Sequence, residues 1–445
     1  MLGGFTVAQG RQGMKQPPVP SYYRATATPY EAHAPLQGRQ ETRVAIVGGG
    51  YAGLNTALGL AERGVRDVVL LEREQIGFGA SGRNGGFVFA GYSLGEQALL
   101  EQLGEARARA LFDLTTAAVQ RIRERVAKYA IACDAVDEGV IWANWFRDPE
   151  VLRRRQALLA NHYGVHWDWL SRKELRDRVR SDRYYDGLYE RNALHLHPLN
   201  YAIGLAAAAS GQGVRIHEES EVWRLQREGS RWLLSTPHGE LLAEQVVLAC
   251  GGYLAGLRKP IDRAVLPIAT YVMATEPLGE RLAECLATRS AVYDTRFAFD
   301  YYRPLPDTRL LWGGRISIRH RQPQAVQRLL RHDLSRVFPQ IGDAKIDYAW
   351  SGLMSYARHQ MPQLGRGEGD DAGLWWAQAF GGHGLAPTCA AGELLAAAIA
   401  EGDEGWRQFA DYGLASVHKP FGLLAAQCSY WWQQARDGFK TRLEG

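Results

Sequence analysis

Apolar and polar positions along the chain follow two rhythms. The stretch "RVAIVGGGYAGLNTALGLAERGVRDVVLLERE" (43–74) is an apolar run, a glycine turn, a helical segment and a second apolar run. This predicts one βαβ unit, the start of a parallel sheet. Helical periodicity then runs through 96–130, with Leu99, Leu100, Leu103, Leu111 and Leu114 on one apolar stripe. "VDEGVIWANWF" predicts a strand, while "EVLRRRQALLANHYG", "SRKELRDRV" and "HLHPLNYAIGLAAAASGQG" predict helices. Three strand-like runs follow, "VRIHEES", "WRLQREGSRWLLSTPHG" and "EQVVLACGG". Residues 261–345 mix strands with a helix. "GLWWAQAFGGHG" and the helical "PTCAAGELLAAAIAEG" come last.

These pieces are interleaved. Residues 41–95, 198–257 and 345–415 carry the pattern of a nucleotide-binding α/β domain. Residues 96–197 and 258–344 predict a second domain on a mostly antiparallel sheet. Residues 1–40, rich in Gly, Pro, Gln and Ala, form an irregular arm that Tyr22, Tyr23 and Tyr30 can pack onto the body. Residues 416–445, with Trp431 and Trp432, predict an amphipathic helix docked on the protein, or else resting on a membrane surface.

Composition narrows the class. With 46% hydrophobic and 22% charged residues among 445, the chain is an ordinary globular protein. A formal net charge of +4 is too small for a dedicated nucleic-acid binder. Cys133, Cys250, Cys285, Cys389 and Cys428 are scattered, so neither a disulfide framework nor a metal site is expected, and a reducing compartment fits. There is no apolar run of roughly 18 residues to cross a membrane and no secretory signal, so a cytoplasmic place is expected.

Glycine is where chemistry enters. Gly48, Gly50 and Gly53 form G-x-G-x-x-G between the first strand and its helix. Gly48 permits the turn, Gly50 lets a pyrophosphate approach, and Gly53 lets helix and strand pack closely. The helix start, with Tyr51 and Ala52, offers free N–H groups and partial positive charge. Glu72 ends the second strand, where an acid accepts from ribose hydroxyls, with Arg73 beside it. The acid disfavours NADP.

A second glycine loop, "GASGRNGG", spans 79–86. Gly79, Ala80, Ser81, Arg83, Asn84, Gly85 and Gly86 suit a larger cofactor whose polar rings slot between backbone segments, as FAD does. The bland reading is a glycine-rich surface turn. A third cluster, Gly381-Gly382-His383-Gly384, leads into a helix near Pro387. A helix N-terminus there stabilises negative charge developing on a reduced flavin. His383 has a plainer role open to it, a hydrogen bond to a nearby carbonyl.

"VAIVGGGYAGLNTALGLAERG", "LLERE", "GASGRNGG" and "FGGHGLAPT" together resemble the D-amino-acid-oxidase-like FAD superfamily of the glycine and sarcosine oxidase kind. "GASGRNGG" resembles the branch that includes gamma-glutamylputrescine oxidase and bacterial L-pipecolate oxidase. The resemblance covers about residues 21–415. It implies a Rossmann-like FAD domain of the glutathione-reductase type, with an α+β substrate domain whose sheet lies over the flavin. It implies that Val222 lies against the adenine, that Cys250 and Gly251 pass the dinucleotide, and that Gly382, His383, Gly384 and Leu385 line the flavin's pyrimidine edge. Some relatives tether flavin through a His in the second loop or a Cys before the "GHG" motif. This chain has Ser81, Gly82 and Arg83 in the loop and Leu353 and Met354 before the motif, so non-covalent FAD is expected.

Substrate residues are expected from the sheet domain. Arg303 and Arg315 are candidate carboxylate forks. Tyr301, Tyr302, Tyr271 and Tyr356 are candidate walls. The bland alternative for each is a sheet-surface residue. The expected reaction is oxidation of a C–N bond of a secondary amine or imino acid by hydride transfer to flavin. Oxygen would be the acceptor, giving hydrogen peroxide. The alternatives are a D-amino-acid dehydrogenase that passes electrons to a membrane quinone, an NAD-dependent dehydrogenase and a non-enzymatic nucleotide-binding protein.

Overall fold

In the computed structural model, residues 20–318, 321–419 and 421–444 are described, so the start of the N-terminal arm, 1–19, lies outside the described residues. Strand Gly38–Val47 sits between Gly239–Leu248 and Val68–Leu71, parallel to both, with Val47 beside Leu71 and Leu248. Arg215–His217 and Leu374–Gln378 extend this parallel sheet on either side. Gln363–Arg366 and the hairpin Arg224–Glu228/Arg231–Ser235 add antiparallel pieces. The first two strands are apolar at consecutive positions because both faces of the sheet are covered. All the parallel strands end at one edge, where ligands of open α/β sheets bind.

Helices Tyr51–Glu62 and Leu385–Glu401 pack against each other at short range. A Cβ on Gly392 would lie 2.5 Å from the Asn55 Cβ, so only glycine fits there. Helix Glu105–Lys128 joins them through Arg125, which is fully buried. Arg125 donates to Asn55 Oδ1 (2.7 Å) and Glu62 (2.5 Å), and also pairs with Glu393. This places 105–128 against the nucleotide-binding half rather than with the second domain, because its apolar stripe needs those helices to cover it.

The second sheet runs in the order Ile346–Tyr356, Leu266–Thr275, Leu310–Ser317, Asp300–Pro304, Ala291–Asp294, Val140–Ala143, Gly187–Glu190, Asp168–Leu170. Its pairs are antiparallel except Ala291–Asp294 with Val140–Ala143. Residues 346–356, expected with the nucleotide-binding half, belong here, because Leu266–Thr275 pairs with them along its whole length. Helix Pro323–Val337 covers one face over a core of Tyr302, Trp312 and Phe338. Helix Phe421–Glu444 docks on this sheet. Its Tyr430 hydroxyl accepts from Ile316 N (3.2 Å), its Gln427 Oε1 accepts from Ile318 N (3.0 Å), and its Thr441 Oγ1 accepts from Trp145 Nε1 (3.0 Å). Tyr23 of the arm is buried edge-on against Trp350 and His197.

Candidate active site

A cavity of about 1570 Å³ lies between the strand-end edge of the first sheet and the uncovered face of the second. Sites for single drug-sized ligands span roughly 300–1,000 Å³, so this one has room for a dinucleotide and a second molecule.

The first glycine cluster forms one wall. Gly48 has φ +115°, and a Cβ there would lie 2.6 Å from the Ala249 carbonyl oxygen, so no other residue fits. Gly50 caps helix Tyr51–Glu62 without a side chain. The Ser81 hydroxyl, from the second loop, accepts from the Tyr51 amide at 3.0 Å and ties the two loops together. Glu72 accepts from the amides of Gly49 (2.6 Å) and Glu74 (2.9 Å). Burial pushes its pKa up despite those bonds. Gly48, Gly50, Tyr51, Ala52, Glu72, Arg73, Val222, Cys250 and Gly251 all line the cavity. Gly53 does not. Its missing side chain makes room for the Gly48 carbonyl, 2.0 Å from where a Cβ would stand.

In the second loop, Gly79, Ala80, Ser81, Arg83, Asn84 and Gly85 line the cavity. Asn84 also braces the loop. Its Oδ1 accepts from Gly86 N (2.8 Å), and its Nδ2 donates to Ala80 O (3.1 Å) and Ser81 O (2.9 Å). Gly86 does not reach the cavity; it packs on the Leu196 carbonyl. The Arg83 guanidinium lies over the Phe78 ring at 4.5 Å. No carboxylate pairs with it among the described residues, and burial lowers its pKa. A half-buried cation beside a glycine cradle suits a pyrophosphate.

The third cluster forms the far wall. Gly382, His383, Gly384 and Leu385 line the cavity at the start of helix Leu385–Glu401. His383 takes the plainer role: Nε2 is 3.0 Å from the Ala90 carbonyl, and burial pushes its pKa down to about 4. An imidazole whose pKa burial lowers this far is a weak base. Tyr356 lines the cavity nearby.

Three expected substrate residues do not line it. Tyr302 stacks on Trp312 at 4.6 Å in the core under helix Pro323–Val337, and Tyr271 is buried in the same core. Side chains alternate along a strand, so it is Tyr301 that faces the cavity. Arg303 shares Tyr301's face but lies beneath the second glycine loop. It is 1% exposed and donates to Gly85 O (2.8 Å) and Leu196 O (2.9 Å), with no fork left for a ligand. Arg315 does line the cavity, with both Nε and Nη2 bound to Asp333 at 2.7 and 2.5 Å.

Sequence reasoning named Tyr301 and Tyr356 but missed the rest of the aromatic lining: Phe87, Phe89, Tyr293 and Phe299 also face the cavity. Arg155 lines it too, paired with Glu96 at 2.7 Å and lying over Trp142 and Trp167. The spacing of Phe87 and Phe89, directly after the glycine loop, was a strand-period signal that both rings share a face. Nothing local marked Glu96, Arg155 or Tyr293.

Residues 43–398 match the family model described as FAD dependent oxidoreductase. The chain is 36% identical over 403 residues to gamma-glutamylputrescine oxidoreductase of Escherichia coli, covering 90% of this chain and 92% of that one. The chain belongs to the FAD dependent oxidoreductase family. Glycine oxidase from Geobacillus kaustophilus has the same architecture, with a TM-score of 0.69 at 25% identity over 84% of this chain and 99% of that one. L-proline dehydrogenase from P. horikoshii shares the fold at a TM-score of 0.70, with 18% identity over 84% of this chain and 97% of that one. This family member is therefore an oxidoreductase with a flavin cofactor, and its cavity suits one. Glycine closes the turn at Gly48, a buried acid stands at Glu72, a half-buried cation at Arg83, and a helix begins at Leu385.

Proposed function

We propose that the chain is an FAD-dependent amine or amino-acid oxidase that converts a C–N bond of a secondary amine, imino acid or gamma-glutamyl amine to an imine, with oxygen as final acceptor and hydrogen peroxide as product. The observation that carries this reading is the aromatic chamber at the Gly381–Gly384 end of a cavity whose other wall is the dinucleotide cradle. The identity to gamma-glutamylputrescine oxidoreductase supports it.

Bound FAD supplies a two-electron acceptor for the hydride lost from the carbon beside nitrogen. Gly48, Gly50, Ser81 and Arg83 would hold its pyrophosphate, and Glu72 its ribose. Gly382 to Leu385 would meet the flavin's pyrimidine edge. With the amine entering neutral, its nitrogen lone pair closes the C=N bond as the hydride leaves, and the iminium so formed gives up its remaining N–H proton to water on release and is hydrolysed. No side-chain base is required, in keeping with the weak basicity that burial leaves to His383. The chamber's rings exclude water and orient the carbon.

Non-covalent attachment is part of the proposal. The cavity's thiol, Cys250, points its Sγ at the Val47 carbonyl (3.4 Å), and burial pushes its pKa up to about 12. A thiol so protonated is a poor nucleophile. The test is aerobic turnover with peroxide and imine measured together. Equal yields support oxygen as acceptor; imine without peroxide assigns the electrons elsewhere.

A further inference from the structure

Five rings of the cavity wall close into a circuit. Phe87 meets Phe89 (centroids 6.5 Å apart), Phe89 meets Tyr293 (5.7 Å), Tyr293 meets Phe299 (5.9 Å), Phe299 meets Tyr301 (6.2 Å), and Tyr301 returns to Phe87 (5.5 Å). His383, neutral, sets its ring against Phe89 at 4.2 Å. Ring faces carry negative charge density and attract alkylammonium groups.

Of three arginines around this basket, two have both donors of one edge engaged and the third has one. A carboxylate is gripped bidentately along an Nε/Nη2 edge. In Arg315 both of those atoms are bound to Asp333. In Arg296 they are bound to Asp294, at 3.0 and 2.6 Å, and Asp300 pairs with it as well. In Arg155, Nη2 is taken by Glu96, while Nε has no hydrogen-bond partner among the described residues. Three arginines thus pair with four carboxyls: Glu96, Asp294, Asp300 and Asp333. Arg358, also on the wall, is exposed to water, which screens it.

We infer that the basket receives an amine bearing no carboxylate on its reacting carbon, and that Glu96 sets this preference by taking Nη2, one of the two Arg155 donors that an α-carboxylate would need together. This rests on the oxidase reading above and narrows its substrate class. Glu96 acts on specificity through Arg155; it is a positioning residue.

Matched pairs differing only in the carboxylate test it: piperidine against pipecolate, and pentylamine against norleucine. Anaerobic mixing with holoenzyme gives the rate of flavin reduction. The amine of at least one pair is expected to react about tenfold or more faster than its acid, at equal concentration. E96Q, which removes the charge that holds Arg155 and leaves only a weaker neutral acceptor, is expected to shrink that ratio or invert it. Binding has its own readout: pentyltrimethylammonium, which has no N–H to lose, should raise the melting temperature of wild type, and hexanoate should not. Faster reduction by the acids in wild type, or stabilisation by hexanoate alone, overturns the inference and leaves the oxidase reading standing. Failure of all four compounds to reduce the flavin, with no thermal shift by the ammonium probe, overturns the inference; the oxidase reading falls as well only if gamma-glutamylputrescine also leaves the flavin oxidised. The wild-type pairs decide the matter even if E96Q does not fold.

Discussion

Glu72 accepts a hydrogen bond of 2.6 Å from the amide of Gly49, so the acid ending the second strand is locked to the glycine turn that ends the first. The turn and the ribose partner are one unit. Glu72→Ala is expected to weaken FAD binding about ten- to a hundredfold, the scale of a lost charged hydrogen bond. Fluorescence titration of the apoprotein measures this. Unchanged affinity in folded protein would remove Glu72 from the cradle.

Gly53 acts on packing and does not line the cavity. A Cβ there would meet the Gly48 carbonyl oxygen at 2.0 Å, a backbone atom that cannot step aside. Gly53→Ala is expected to destabilise by about 1–3 kcal/mol through overpacking. Thermal unfolding of apoprotein should show a lower midpoint, a loss that added FAD cannot explain.

Arg303 and Tyr301 make opposite predictions. Arg303→Ala strands the Gly85 and Leu196 carbonyls, at about 1–3 kcal/mol for a buried polar group left unpaired. Its melting temperature should fall, while KM in the folded fraction stays within about twofold. Tyr301→Ala should raise KM by more than its melting temperature explains. A large KM effect in Arg303→Ala at unchanged stability would restore that arginine to the substrate site.

Burial holds the Glu190 carboxyl up at about 8, well above its unfolded value. A raised carboxyl contributes stability that is present below the unfolded pKa and lost as pH rises through the folded one. Wild type should therefore lose stability relative to Glu190→Gln between about pH 4.5 and pH 8, with the difference flat beyond. Denaturant midpoints at several pH values measure it; parallel curves would contradict the assignment.

Acid precipitation should release the flavin into the supernatant as free FAD. Yellow colour retained in the washed pellet would overturn non-covalent attachment.

The parallel sheet and its three glycine clusters were legible because each cluster marks a change of backbone direction beside an apolar run. Gly48 and Glu72 could be placed at the cavity from spacing, and Gly382 from the family resemblance. The substrate face was not legible. Strand Asp300–Pro304 is buried on both sides, by the core under helix Pro323–Val337 and by the cavity wall, so its period of two had no visible phase. Tyr302 and Tyr301 exchange roles on that one-residue ambiguity. Arg303 has the right phase but lies under a loop that only the tertiary structure brings there. Arg155 and Glu96 lie 59 positions apart in sequences that read as ordinary amphipathic helix, and their pairing is a product of the fold. The C-terminal helix likewise contributes Gln427 and Tyr430 to the cavity wall with no motif to announce it.

The central claim is that this cavity brings an amine to a bound flavin. Anaerobic titration of the holoprotein with amines and amino acids, gamma-glutamylputrescine among them, tests it most directly. The account predicts that at least one amine bleaches the visible flavin bands, with one imine formed per flavin. Bands that dithionite bleaches but every amine and amino acid leaves intact would contradict it.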